Sequence, residues 1–246
     1  MTKNNQGQRL QKVIANAGYI ARRKAELLIT SGKVKVNDQV VTTLGTRVLP
    51  NDVIKINNKI LEFNDYLYFI FYKPVNCLTT LNDPRNRPTI MPYFSKIKVR
   101  IYPVGRLDFD TSGLLLMTND GDFSNQILHP KYKIDKVYQV TCQGLLSQEQ
   151  IKQLTKGVEI EATIITAPAK VKVIKTDFET ETTIINLTIH QGYKNQVKRM
   201  LKGVGSKVLT LKRIAIGNLN LTGLKPGDYR ILTTKERQDL LSLVSQ

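Results

Sequence analysis

Residues 66 to 72 read YLYFIFY, apolar from end to end. A strand with no polar face suits full burial inside a sheet rather than a place on a solvated surface. The segment after it, KPVNCLTTLNDPRNRPTIMPYF, carries four prolines and reads mostly as loop. Strand-like runs recur at 113–118, 136–142, 168–175, 182–190 and 207–216, most of them bounded by Gly, Pro, Asp or Asn. Helical patterns lie between them at 147–157 and 193–205, and a last helix begins at TTKERQDLLSLV, where Thr233 and Glu236 have the spacing of a capping box. Strict strand–helix–strand alternation is missing. The pattern therefore predicts an α+β fold, a mixed and mainly antiparallel sheet with helices packed on it.

The chain has 246 residues, 41% of them hydrophobic, and a formal charge of +17. It is long enough to bury a real core. Its charge points to a polyanionic partner, nucleic acid or an anionic membrane. The longest apolar run falls far short of the roughly 20 residues a membrane span needs. No basic amphipathic helix carries aromatic anchors either, so no membrane partner is expected. The start of the chain, MTKNNQGQRL, lacks the apolar centre of a signal peptide. Cys77, Cys142, His129 and His190 have no metal-ligand spacing, so no metal is expected. Two isolated cysteines suit a reducing cytoplasm. His129, before Pro130, and His190, at a strand end, read as structural.

Residues 1–62 hold 11 basic and 4 acidic residues, about twice the net charge density of 63–246, and they read as a unit of their own. In QRLQKVIANAG, Leu10, Val13, Ile14 and Ala17 form a helical stripe closed by Gly18. ARRKAELLITSG is a second helix, with Ala25, Leu28 and Ile29 inward. KVKVNDQVV and DVIKINNKILEF follow as hairpins turning at Asn37-Asp38 and Asn57-Asn58. Arg22, Arg23 and Lys24 open the second helix, and Lys33 and Lys35 follow its end. Such a run is either a solvated helix face or a grip on a polyanion, and the compact helix pair with its local charge excess favours the grip.

A different stretch carries chemistry: GRLDFDTSGLLLMTNDG, residues 105–121, sets Asp108 two places from Arg106 and just before an apolar run. By residue type alone Asp108 is a nucleophile, a general base, a metal ligand or half of an ion pair with Arg106. Asp110, Asp120 and Asp122 match no metal cage. A glycosidase needs a second facing carboxylate, and none is obvious.

These motifs resemble two known families. RLQKVIANAGYIARRKAELLITSGKVKVNDQVV is similar to the alpha-L RNA-binding module shared with the fourth small-subunit ribosomal protein, across roughly residues 8 to 62. PVGRLDFDTSGLLLMTNDG closely resembles the signature of RNA pseudouridine synthases of the RsuA/RluB type. The blocks FYKPVNC, TTLNDPRNRPTI, HPKYKIDKVYQV and GYKNQVKRML match that family in order, from residue 66 to about 235. Departures are Gln191-Gly192, where the family commonly has Glu-Gly, and Lys198, where arginine is frequent.

The resemblance implies a domain at 1–62 that binds RNA through Arg9, Lys12, Arg22, Arg23, Lys24 and Lys33, and a pseudouridine synthase domain at 63–246. It implies Asp108, Tyr138 and Lys198 as catalytic residues and Arg106, Leu107, Thr111, Gln196 and Arg199 as substrate-binding ones. Tyr138 would stack on an extruded uridine, or stand as an ordinary core tyrosine. Arg106 would fill the gap left by the flipped base, or hold a phosphate. Lys198 is expected to pair with Asp108 and keep it ionised, the alternative being phosphate contact alone. The implied activity is isomerisation of uridine to pseudouridine in ribosomal RNA without a cofactor. The early DPRNRPT loop favours large-subunit (23S) over small-subunit (16S) rRNA. The implied substrate is a structured stem-loop, free or in a pre-ribosomal particle, met by a monomer. A binding-only ribosome-assembly factor is the alternative from another class.

Overall fold

The computed structural model describes residues 7–244, so part of the polar chain start lies outside the described residues. The chain divides into two units. The smaller takes the described residues up to Leu67 with 96–102 and 118–121, and the larger takes the rest.

In the smaller unit, helices α1 (Leu10–Asn16) and α2 (Arg22–Thr30) pack through Leu10, Ile14, Ala25 and Ile29 onto Val34, Val48 and Ile54. The apolar side chains recur at helical spacing, so each helix buries one face only. Four short strands follow in the order Gln39–Val40, Val34–Val36, Ile54–Ile56, Lys59–Ile60. Both hairpins turn where the pattern placed them: Asn37 and Asp38 have φ of 49° and 65°, Asn57 and Asn58 of 49° and 63°. Paired left-handed residues make the turn whose twist matches antiparallel strands. The Asn119 side chain pins the end of this unit, donating to Asp65 O and accepting from Leu67 N–H.

The larger unit is built on a nine-stranded mixed sheet. Its main path runs Lys170–Asp177, Thr182–Ile189, Lys136–Gln143, Val208–Ile216, Ser112–Thr118, Tyr68–Lys73, Tyr229–Ile231. The Lys136–Gln143 strand is antiparallel to both neighbours, and Val208–Ile216 runs parallel to Ser112–Thr118. The all-apolar segment is interior, as its composition requires. Phe69 and Phe71 pack against Phe94, while Ile70 joins a separate cluster with Leu114 and Leu116.

Helix α3 (Gly121–Leu128) sends Phe123 and Ile127 into the Ile70 cluster. Helices α4 (Gln148–Lys156) and α5 (Gln196–Gly203) cover the sheet through Leu154, Val197, Met200 and Leu201, against Val140, Ile185, Leu187 and Leu211. Helix α6 (Thr234–Ser242) starts at the expected capping box, with the Thr233 hydroxyl accepting from Glu236 N–H and Glu236 accepting from Thr233 N–H. It packs Leu240 into the Ile70 cluster. The fold is thus α+β, with a mainly antiparallel mixed sheet flanked by helices. No helix among the described residues is long and apolar enough to cross a membrane.

Candidate active site

The Ser112–Thr118 strand is preceded by a loop whose backbone is tied from below. Lys73 ends the apolar strand on the face of Phe69 and Phe71, because alternate residues share a face, and it is completely buried. Its ammonium donates to the carbonyls of Pro74 (2.9 Å), Asp108 (3.1 Å) and Thr111 (2.9 Å). Burial pulls the Lys73 pKa down to about 8, against the opposing charges of Cys77, Asp110 and Asp108. Thr79 adds two bonds around Leu107, its hydroxyl donating to the carbonyl at 2.7 Å and accepting from the N–H at 3.2 Å. Thr111 N–H closes the turn onto Asp108 O. The main chain of the loop is held while the Asp108 side chain stays exposed. A carboxylate on a rigid mount that reaches solvent is available to a substrate without reorganisation.

Asp108 opens into a cleft of about 690 Å³, also lined by Arg106, Leu107, Thr111, Tyr138 and Gln196. That volume lies in the range that encloses a small ligand, about 300–1,000 Å³. Six residues singled out from sequence therefore meet at one place. Tyr138 sits half-buried on the strand next to that of Arg213, its direct cross-strand partner. Its hydroxyl faces Arg213 Nη1 at 3.5 Å, and the guanidinium carbon lies 6.0 Å from its ring centroid. Gln196, at the start of α5, accepts from Tyr193 N–H and donates to Gln191 Oε1, bracing the turn that forms one wall.

The expected Lys198–Asp108 pair is not formed. Lys198 Nζ donates instead to Asp110, at 2.5 Å from Oδ1. Helix geometry is the reason. Gln196 and Met200 occupy the buried face of α5, and two residues past Gln196 the side chain has turned about 200° away. Arg199 also lies outside the cleft lining. It donates to Ile160 O from two nitrogens and to Lys194 O from the third, and it pairs with Glu161. In the smaller unit, Arg9, Arg22, Arg23, Lys24 and Lys33 are exposed and Lys12 is half-buried. No cluster of three or more His, Cys, Asp or Glu with metal-holding geometry occurs among the described residues.

Sequence reasoning passed over Lys73, Lys136 and Arg213. Lys136 lines the cleft, donating to His190 O at 2.8 Å and Ile134 O at 3.3 Å. Burial, and then the charge of Arg213, pull its pKa down to about 8. A signal did exist for Arg213. It alternates with buried Leu211 in LTLKRIAI, so period two turns it inward beside an outward Lys212.

Residues 67–202 match the family model for RNA pseudouridylate synthase and residues 8–54 that for the S4 domain. The chain belongs to the RNA pseudouridylate synthase family, and its fold is that of an S4 module joined to a synthase domain. Among its relatives, "Ribosomal large subunit pseudouridine synthase B" of Bacillus subtilis (strain 168) is 48% identical, over 96% of each chain. The protein of that name from Yersinia pestis is 36% identical, over 97% of this chain and 76% of its own. A crystal structure of a pseudouridylate synthase superposes with a TM-score of 0.69 at 32% identity, covering 95% of this chain and all of that one.

Proposed function

We propose that this protein converts specific uridines of large-subunit (23S) ribosomal RNA to pseudouridine, with Asp108 as the catalytic carboxylate and no cofactor. The observation that carries the reading is the exposed Asp108 side chain on a pinned loop, in one cleft with Tyr138 and Gln196. The large-subunit assignment is supported by the name of the Bacillus subtilis relative. The reaction is an isomerisation: uracil leaves the ribose through N1 and returns through C5. The leaving base is also the second reactant, so one carboxylate suffices. Asp108 either attacks the sugar at C1′ or removes its C2′ proton.

A uridine inside a duplex cannot reach the cleft, so the target must be extruded, and Tyr138 offers a ring to stack on. Arg106, exposed at the cleft mouth, is placed to take the vacated position or a phosphate. Lys198, tied to Asp110, is a phosphate contact or a loop anchor in this reading. RNA grip is assigned to the smaller unit. Helix α2 opens with three cations, no acidic residue and no side-chain cap. Cations at a helix N-terminus oppose the helix dipole, at about 0.3–1 kcal/mol each. A polyanionic partner offsets that cost.

The test is a pseudouridine map of both ribosomal RNAs from cells with and without the gene, by carbodiimide treatment and primer-extension stops. A 23S site lost with the gene and restored by wild type but not by Asp108→Ala is expected, while Asp108→Ala binds RNA within twofold of wild type. A lost 16S site would move the substrate to the small subunit. Rescue of a ribosome-assembly defect by Asp108→Ala would make binding the function.

A further inference from the structure

Arg213 has no part in the chemistry so far, yet it lies in the cleft with Asp108 and Tyr138. It is 3% exposed. Its Nε donates to Leu114 O at 2.7 Å and its Nη1 faces the Tyr138 hydroxyl. Its Nη2 is buried without a partner, and so is the hydroxyl of Thr111, another lining residue. Among the described residues no carboxylate pairs with Arg213. A second cation, the half-buried Lys136, stands on the Tyr138 strand two residues away, its ammonium donating to the carbonyls of His190 and Ile134.

A buried guanidinium normally has an acidic partner, because an uncompensated buried charge costs several kcal/mol. The arrangement therefore fits a group that meets negative charge only when a ligand reacts. The approach is built into the sheet. Gly113 lies opposite Arg213 on the parallel strand, and a Cβ there would stand 2.2 Å from Arg213 O. Without a side chain at 113 the two strands close up, and the guanidinium reaches across to Leu114 O.

We propose that Arg213 is a further catalytic residue: its Nη2 donates to the uracil oxygen on which negative charge gathers as the glycosidic bond breaks. The inference rests on the pseudouridine synthase reading. The C1′–N1 bond breaks with its electron pair moving to N1 and, by conjugation, to O2 and O4. Asp108 meets the electron deficiency at the sugar. The C5–C1′ bond forms from the ring π electrons, C5 loses its proton, and N1 takes one up. No net oxidation or reduction occurs. A buried, pre-oriented donor is suited to charge of this kind.

The experiment uses the full chain and 23S rRNA transcripts made with either uridine or 5-fluorouridine. Single-turnover conversion is read from nuclease digests as loss of the N-linked nucleoside. Arg213→Gln is expected to slow uridine conversion about 100- to 1,000-fold, as loss of one charge-stabilising donor does. RNA affinity by filter binding should stay within threefold, and Arg213→Lys should restore part of the rate. Fluorine at C5 stabilises the uracil anion on its own, and C5 then keeps the fluorine because it has no proton to lose, so the defect in loss of the N-linked nucleoside should shrink at least tenfold on the fluorinated transcript. A merely structural Arg213 would slow both substrates alike, and equal defects overturn the inference even if the variant is less stable. A wild-type rate in Arg213→Gln overturns it outright. Wild type inactive on both 23S and 16S transcripts overturns the proposed function, and this inference with it.

Discussion

Replacing Gly113 by alanine should damage the sheet where the cleft is built. Gly113 has φ of +116°, in the region that side chains avoid. An added Cβ would lie 2.2 Å from Arg213 O, 2.5 Å from Arg213 N and 2.8 Å from Arg213 C. All three are backbone atoms, so no rotamer change relieves the clash. The strands would have to separate until the closest approach grew from 2.2 Å to the 3.4 Å where ordinary contact begins. That opens the Ser112–Lys212 and Gly113–Arg213 pairing and draws Leu114 O from the guanidinium. Strained backbone costs about 1–3 kcal/mol, and overpacking typically adds about 1–3 kcal/mol. The sum, about 2–6 kcal/mol, corresponds to a fall in Tm of roughly 5–20 °C for a domain of this size. Calorimetry of the full chain measures it. Gly223→Ala is the control, because Gly223 has φ of +78° with nothing within 4 Å of an added Cβ. It carries the backbone strain without the clash. A Gly113→Ala protein within 2 °C of the Gly223→Ala protein would refute the claim that close strand approach requires glycine here.

Two further outcomes follow from charge. Arg22→Ala, Arg23→Ala and Lys24→Ala combined should lower the steepness of the log–log salt dependence of RNA binding by about 2–3, near one for each phosphate no longer neutralised; an unchanged slope removes α2 from the interface. Glu236 is held down to about 2 chiefly by its bidentate bond with Arg230, then by its bonds to Thr233. Its carboxyl is more acidic folded than unfolded, so its contribution is complete above the ordinary value of 4.5 and is lost as pH falls toward 2. Amide protection in α6, taken relative to the intrinsic exchange rate at each pH, should therefore fall between about pH 5 and about pH 3 more in wild type than in Glu236→Gln; an equal fall would separate the pair from the acid response.

Much of this architecture is local, and local features were legible. Two-residue turns with Asn or Asp need only their own dihedrals, so Asn37-Asp38 and Asn57-Asn58 could be placed from the chain alone. The same holds for the capping box at Thr233 and Glu236. The strand-like run at 182–190 is seen as Thr182–Ile189, its burial alternating along the strand because packing on one face imposes period two. Asp108, Tyr138 and Gln196 were found through motif resemblance, and they do line one cleft.

Partners across the chain were not legible. Lys198 meets Asp110 and not Asp108, since the rotation of α5 and the course of a loop 88 residues away decide the pair. Lys73 was one lysine before a proline until folding buried it under the carbonyls of Asp108 and Thr111. Alternation with Leu211 could mark Arg213 as inward, but only the sheet set it between Tyr138 and Gly113. Residue type and spacing determined the elements, the charge and the candidate carboxylate, because those depend on neighbours in the chain. Tertiary structure alone decided which cations lose water and what they face, because desolvation depends on packing between segments far apart in sequence.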